Sequence, residues 1–217
     1  MRFPSAHAGV KKLFAAQIIM IAVAITMVVS SVLSILSLNG VVVATTIGTM
    51  SLITLAASIL VFIFELVGYI QAGRDEGNFH AALWTVLIAI ILSAVATGLG
   101  FIKDNSVVTK IIYVINALVD LSQIFVILFT INGLINLCDK MNNERLSRKG
   151  RVILFIILAI YVLALVFALL PAFFNVEDNK AFAITVAVFG VVAAVLELVN
   201  YVLYVTYLGQ CTAMLRR

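Results

Sequence analysis

The chain alternates long apolar runs with short polar segments. Each run is long enough for a helix to cross a bilayer, which takes about 20 residues. The six runs are Leu13–Leu38, Val41–Ala72, His80–Ile102, Ile111–Cys138, Val152–Phe174 and Ala181–Leu215. The pattern predicts an all-α integral membrane protein with six transmembrane helices, which form a single transmembrane domain over residues 1–217.

The first run differs from a cleavable signal peptide in length. It follows Lys11 and Lys12 and continues for 26 residues, Leu13–Leu38. The apolar part of a signal peptide has only about 7–15 residues. We therefore expect this run to be a retained span.

Composition supports the membrane assignment. Hydrophobic residues make up 64% of the 217 residues and charged residues 11%, whereas soluble domains are near 45–50% apolar and about 25% charged. The net charge is +4. Because the basic residues lie in short segments between the apolar runs, we attribute the excess to membrane topology and expect no nucleic-acid binding.

The basic residues also predict an orientation, because cytoplasmic loops carry more Lys and Arg than external loops. With the N-terminus inside, only three of the 14 basic residues face outward, namely Lys103, Lys110 and Lys180. The other eleven lie on the inner side. The sequence therefore predicts cytoplasmic N- and C-termini, and we expect the plasma membrane as the location.

The even-numbered spans are longer than the odd-numbered ones, and their C-terminal ends resemble each other. The segments Tyr69–Gly73, Leu134–Cys138 and Tyr207–Cys211 each place a small residue after an aromatic or aliphatic one. Two explanations remain open. The chain contains three copies of a two-helix hairpin, or the likeness reflects only the shared composition of hydrophobic helices.

Three ionisable side chains lie well inside the spans, one on each even-numbered helix: Glu65, Asp120 and Glu197. An acid at the centre of a bilayer costs about 2.5–3.5 kcal/mol on insertion scales, so such residues usually face protein or water. Helical spacing adds polar neighbours on the same faces, namely Tyr69, Tyr201, Asn116 and Gln123. We therefore expect the long even-numbered helices to form an inner layer.

These seven residues are the candidate site. The spans contain no Lys or Arg at membrane depth, so the three acids must be neutral, share protons or bind a cation. This favours a pathway for ions, protons or a substrate. The competing interpretation is structural, with protonated acids that hydrogen-bond within the bundle and hold it together.

Two functions follow as hypotheses. The first is a small secondary transporter or channel-like protein for a cation or small solute, coupled to protons or monovalent cations through the intramembrane carboxylates. The alternative is a non-transporting subunit or scaffold that binds another integral membrane protein or a second copy of itself. We expect no enzyme, cofactor or metal site, because the usual catalytic and metal-binding motifs are absent from the sequence. An intramembrane enzyme is the remoter alternative.

Overall fold

The computed structural model describes residues 3–37, 44–101, 106–173 and 180–216. Within these ranges, only the backbone is described at positions 27–28, 30–37, 44–51, 106, 109–110, 113, 120, 163–173, 180–191, 193–194 and 197. The described chain contains six helices and no strand. They are α1 (Pro4–Ser37), α2 (Ala44–Gly73), α3 (Gly77–Leu99), α4 (Ser106–Lys140), α5 (Glu144–Phe173) and α6 (Lys180–Leu215).

The all-helical prediction is confirmed for the described residues, and among these residues four helices contain segments long and apolar enough to cross a membrane. These segments are Pro4–Thr26, Leu52–Gly73, Gly77–Leu99 and Val114–Lys140. They support a membrane protein by their length and composition. The six-span count, the repeat and the inner layer of even-numbered helices stay predictions.

The helices extend beyond the apolar runs at several ends. α1 begins at Pro4 rather than at Leu13, and α5 begins at Glu144 rather than at Val152. Proline suits the first turn of a helix, where its missing N–H would have no helical partner. As a result α1 has 34 residues and α2 has 30, so helix length does not follow the alternation of the apolar runs.

The chain divides into two compact units. The first contains Met1–Asp75 and Leu208–Arg217, and the second contains Glu76–Tyr207. In the first unit α1 packs along α2, and in the second unit α4 packs against both α3 and α5.

The core of the α1–α2 pair lies in the first half of α1 and the second half of α2. The buried residues of α1 recur at helical spacing and therefore form one stripe. They include Ala6, Val10, Leu13 and Ala16. On α2 the buried positions include Val61, Gly68, Tyr69 and Ala72. The packed region is thus next to the turn that follows α2.

Among the described side chains, the core of the second unit includes residues from the start of α3, the end of α4, the start of α5 and the second half of α6. Phe79 of α3 is fully buried and its ring lies against Gly133 of α4, where a Cβ would lie only 2.9 Å from a ring carbon. The buried stripe of α4 includes Ile131, Leu134 and Cys138. On α5 it includes Ser147, Gly150, Ile153 and Ile157.

A tight turn joins α4 to α5. Asn142 has φ 56°, a left-handed conformation that Asn tolerates better than most residues. The backbone N–H of Asn143 then donates to the carbonyl of Cys138 at 2.9 Å, which closes the end of α4. The Asn143 side-chain oxygen accepts from the N–H of Leu146 at 3.2 Å and so caps the start of α5.

Candidate functional site

Three hydrogen bonds, called here the cross-helix hydrogen bonds, join α1 to α2 and to the turn that follows α2. The Asp75 carboxylate accepts from the backbone N–H of Ala6 at 2.7 Å. Next, Lys12 Nζ donates to Gln71 Oε1 at 2.7 Å. Furthest along, Gln17 Nε2 donates to Glu65 Oε1 at 2.9 Å. The pairs advance in opposite directions along the two helices, so they establish an antiparallel register.

A close approach of the two backbones lies between the first two of these bonds. A Cβ on Gly9 would be 2.5 Å from the backbone nitrogen of Ala72 and 2.5 Å from the carbonyl oxygen of Gly68. A Cβ on Gly68 would lie 2.9 Å from the side chain of Leu13. Small residues at such contacts allow membrane helices to pack closely and their polar side chains to reach across.

Glu65 is the acid of this unit that the sequence singled out. It lies within the segment Leu52–Gly73, about 12 Å along the helix from Gly73 at 1.5 Å per residue. Its side chain is half-buried. Within the described chain the ion pairs are Lys140–Glu76 and Arg151–Asp139, so Glu65 forms none there.

The partner of Glu65 can serve both of its protonation states. A Gln amide has an N–H₂ group that donates and a carbonyl that accepts. The N–H₂ group suits a charged carboxylate, and the carbonyl suits the hydroxyl of a protonated acid. Tyr69, one turn further on the same face of α2, is buried at 3% exposure. The arrangement can therefore hold or release a proton without losing the contact between α1 and α2.

Two of the three candidate residues of α4 lie on the surface of the described part of the chain. Asn116 and Gln123 are both exposed, and the Asp120 side chain lies outside the described residues. One polar side chain further along α4 is buried. Thr130 is fully buried and donates to the carbonyl of Val126 at 2.6 Å.

On α6 the Glu197 side chain also lies outside the described residues, and Tyr201 is half-buried. Sequence reasoning missed Asn200 between them. This residue is 6% exposed, and neither of its side-chain polar atoms has a hydrogen-bond partner within the described part of the chain. The sequence could have identified Asn200, because an amide beside an acid and a tyrosine is unusual in an apolar run.

A second polar cluster, also missed, joins the start of α3 to the end of α4. Glu76 is buried at 7% exposure. It accepts from Lys140 Nζ at 2.5 Å, from Asn136 Nδ2 at 3.0 Å and from Asn78 Nδ2 at 3.1 Å. Burial by itself raises the pKa of Glu76, but the hydrogen bonds from Asn136 and Lys140 and the charge of Lys140 outweigh it. The net pKa lies below its ordinary value of 4.5.

No group of three or more His, Cys, Asp or Glu side chains comes together among the described residues in a way that could hold a metal ion. Glu65 with Tyr69 lies in the first unit, and the candidate residues of α4 and α6 lie in the second.

Comparisons with known proteins identify no relative of this chain. The chain matches no family model, and no curated protein and no solved structure matches it.

Proposed function

We propose that the protein is a small polytopic membrane protein that moves a proton, a monovalent cation or a small solute coupled to one of these across a bilayer. In this proposal it has six spans, cytoplasmic termini and a plasma-membrane location. Glu65, Asp120 and Glu197 carry or couple the charge, and Tyr69, Tyr201, Asn116 and Gln123 line their faces.

The observation that carries the proposal is the environment of Glu65. Its carboxyl group lies in a helix that is apolar enough to span a membrane, is half-buried and hydrogen-bonds to the neutral Gln17. A membrane-embedded acid without a basic partner must take up a proton or a cation. Because Gln17 can bond either state, loading and release need not disrupt the helix pair.

Flux through reconstituted vesicles tests the proposal. Purified protein in liposomes that contain a pH-sensitive dye should show proton movement driven by an imposed potential or cation gradient. Glu65→Gln removes the charge but keeps the shape of the side chain and its capacity to hydrogen-bond, so it should abolish this flux in a folded protein. Glu197→Gln should do the same.

The matched control is Glu144→Gln, the same chemical change at an exposed position in the first turn of α5. It should leave flux unchanged. Full flux in folded Glu65→Gln and Glu197→Gln would contradict the proposal. Absence of flux in the unmodified protein across cation and metabolite gradients would also contradict it.

A second function is favoured by a different observation, the exposure of Asn116 and Gln123 on α4. Both lie in the segment Val114–Lys140, and amides at membrane depth favour hydrogen bonds to neighbouring helices. A non-transporting subunit or scaffold would use this face to bind another integral membrane protein or a second copy.

Cysteine crosslinking separates this second function from the first. Asn116→Cys introduced in place of the exposed amide should form a disulfide-linked dimer or a crosslink to a partner when oxidised in native membranes. The native Cys138 and Cys211 are buried, so they provide a low background. The control is a cysteine at Ile88 of α3, which is exposed but apolar. Equal crosslinking at both positions would exclude a specific contact at Asn116.

A further inference from the structure

Asn200 of α6 is a buried amide with unmet hydrogen-bonding capacity. It is 6% exposed, and its Oδ1 and Nδ2 atoms both lack a partner within the described residues. Folded proteins rarely bury a polar group in this way, and a bound water molecule or ligand often satisfies such a group.

Asn200 shares a face of α6 with two buried tyrosines, and one of them contacts α4 and α5. Asn200, Tyr204 and Tyr207 follow one another at intervals of four and three residues, so they share one face of α6. All three are buried. Tyr207 reaches α4 and α5, because its hydroxyl lies 3.9 Å from Cys138 Sγ and its ring lies where a Cβ on Gly150 would be.

The register along the helices shows what lies at the level of Asn200. Only residues 174–179 connect α5 to α6, and Tyr207 lies beside Gly150 near the start of α5, so α6 runs antiparallel to α5. Asn200 is about 10 Å along α6 from Tyr207 at 1.5 Å per residue. The same distance along the neighbouring helices leads from Cys138 to Ile131 and from Gly150 to Ile157. Both isoleucines are buried.

The chemistry of this level selects the kind of molecule that fits. A cation would bind Oδ1 and leave Nδ2 unpartnered, and an anion would do the reverse. Among the described side chains at this level, the isoleucines carry no charge that would balance an ion. A molecule that both accepts from Nδ2 and donates to Oδ1 satisfies the amide without adding charge.

We propose that Asn200 is the centre of a binding site for a small uncharged molecule that both donates and accepts hydrogen bonds. Water has this chemistry, and so does a solute with a carboxamide or hydroxyl group. The site extends the proposed function, since it names the class of solute that would move with the charge on the carboxylates, and in that respect it rests on that function.

Amide NMR of the full protein in nanodiscs tests the site directly. Protein labelled with ¹⁵N-asparagine gives side-chain signals, and the Asn200 signal is the one lost in Asn200→Leu or, if that variant does not fold, in Asn200→Ser. Acetamide, which can form two hydrogen bonds with an Asn side chain, should shift this signal saturably. N,N-dimethylacetamide, which accepts but cannot donate, should not.

The outcomes distinguish the two sources of this chemistry. A saturable shift with acetamide identifies a solute site. A cross-relaxation signal between the Asn200 amide protons and water, without any shift, identifies a held water molecule, and it also supports the proposal. The internal control is Asn136, whose amide already donates to Glu76 at 3.0 Å and should respond to neither probe.

Two results would overturn the proposal. One is an Asn200 amide that responds neither to acetamide nor to water. The other is an Asn200→Leu variant that unfolds at a higher temperature than the unmodified protein when both are measured with acetamide. That result would indicate that the amide binds neither water nor solute and only lowers the stability of the folded protein. These results are separable from the flux test, because Glu65→Gln should abolish flux while leaving the Asn200 signal and its acetamide response in place.

Discussion

Single side chains form the polar contacts that hold each helix pair in register. Gln17 donates a hydrogen bond to Glu65 within the apolar part of the α1–α2 pair. Glu76, just before α3, accepts hydrogen bonds from Asn136 and Lys140 at the end of α4. In both places an acid is bound by an amide from the other helix. The amide donates a hydrogen bond to the carboxylate, which lowers the cost of placing the acid away from water.

Breaking the Gln17–Glu65 pair should be costly, and removing both partners should be less so. Gln17→Leu leaves the carboxyl group without this hydrogen bond and should lower the free energy of unfolding by about 1–3 kcal/mol. The double variant Gln17→Leu with Glu65→Leu should recover part of that loss, because neither polar group is left buried. Thermal unfolding of the unmodified protein, the single variants Gln17→Leu and Glu65→Leu, and the double variant in detergent measures the coupling. Strictly additive losses would show that the two side chains do not interact.

The Glu76 cluster should make stability depend on pH in the acidic range. Because the folded-state pKa of Glu76 lies below its ordinary value of 4.5, its stabilising contribution is fully present above that value. It is lost as the pH falls through the folded-state pKa. Unfolding temperatures of the unmodified protein and of Glu76→Gln should therefore differ at neutral pH and converge in acid. A difference that persists unchanged well below pH 4.5 would refute this assignment.

Lys140 should contribute to the same effect. Lys140→Met removes one charged hydrogen bond to Glu76 and should lower the free energy of unfolding by about 1–2 kcal/mol at neutral pH. The loss is moderated because the Lys140 side chain is 47% exposed. Lys11→Met, a change of the same kind at an exposed position on α1, is the control and should have a smaller effect.

At the scale of the element, the α1–α2 pair depends on a glycine at the point of closest approach. The contact involves backbone atoms of Gly68 and Ala72, so no side chain can rotate away to admit a methyl group. The three cross-helix hydrogen bonds lie on either side of this contact. Separating the helices would therefore weaken all three bonds together.

Gly9→Ala should destabilise the protein by about 1–3 kcal/mol, a typical cost of overpacking. Gly98→Ala in α3 is the matched control, because a Cβ there would have no neighbour within 4 Å. That change should be neutral or stabilise the protein by up to about 1 kcal/mol, since Ala favours helix over Gly. Unfolding temperatures of the two variants provide the comparison, and equal effects would exclude a close contact at Gly9.

At the scale of the whole molecule, the predicted topology is the property most open to direct measurement. The basic residues predict that the segment after the third span is external and that the segment after the fourth is cytoplasmic. A reporter fused after Asn105 should give an external signal, and one fused after Asn143 should give a cytoplasmic signal. If both signals are reversed, the predicted orientation is wrong and the termini are external. If both fusions give the same signal, the chain does not cross the membrane an odd number of times between the two positions, and the fourth span is wrong.

The sequence by itself determined the helical membrane class of this protein. An apolar run of this length can satisfy its backbone groups in lipid only by forming a helix or a closed barrel, and the runs here have the length of helices. It also identified Glu65, Asp120 and Glu197, since an acid in an apolar run stands out without any knowledge of its surroundings. The extension of α1 back to Pro4 was not visible, because residues before Leu13 are not continuously apolar.

Only the tertiary structure decided which polar groups meet. The Gln17–Glu65 pair depends on the register of two helices, and that register follows from the close approach at Gly9. The cluster around Glu76 and the buried amide of Asn200 depend in the same way on neighbours distant in the chain. Apolar periodicity specifies that a helix forms and which face is buried, but partner selection results from shape and hydrogen bonding between helices, and those are properties of the packed molecule.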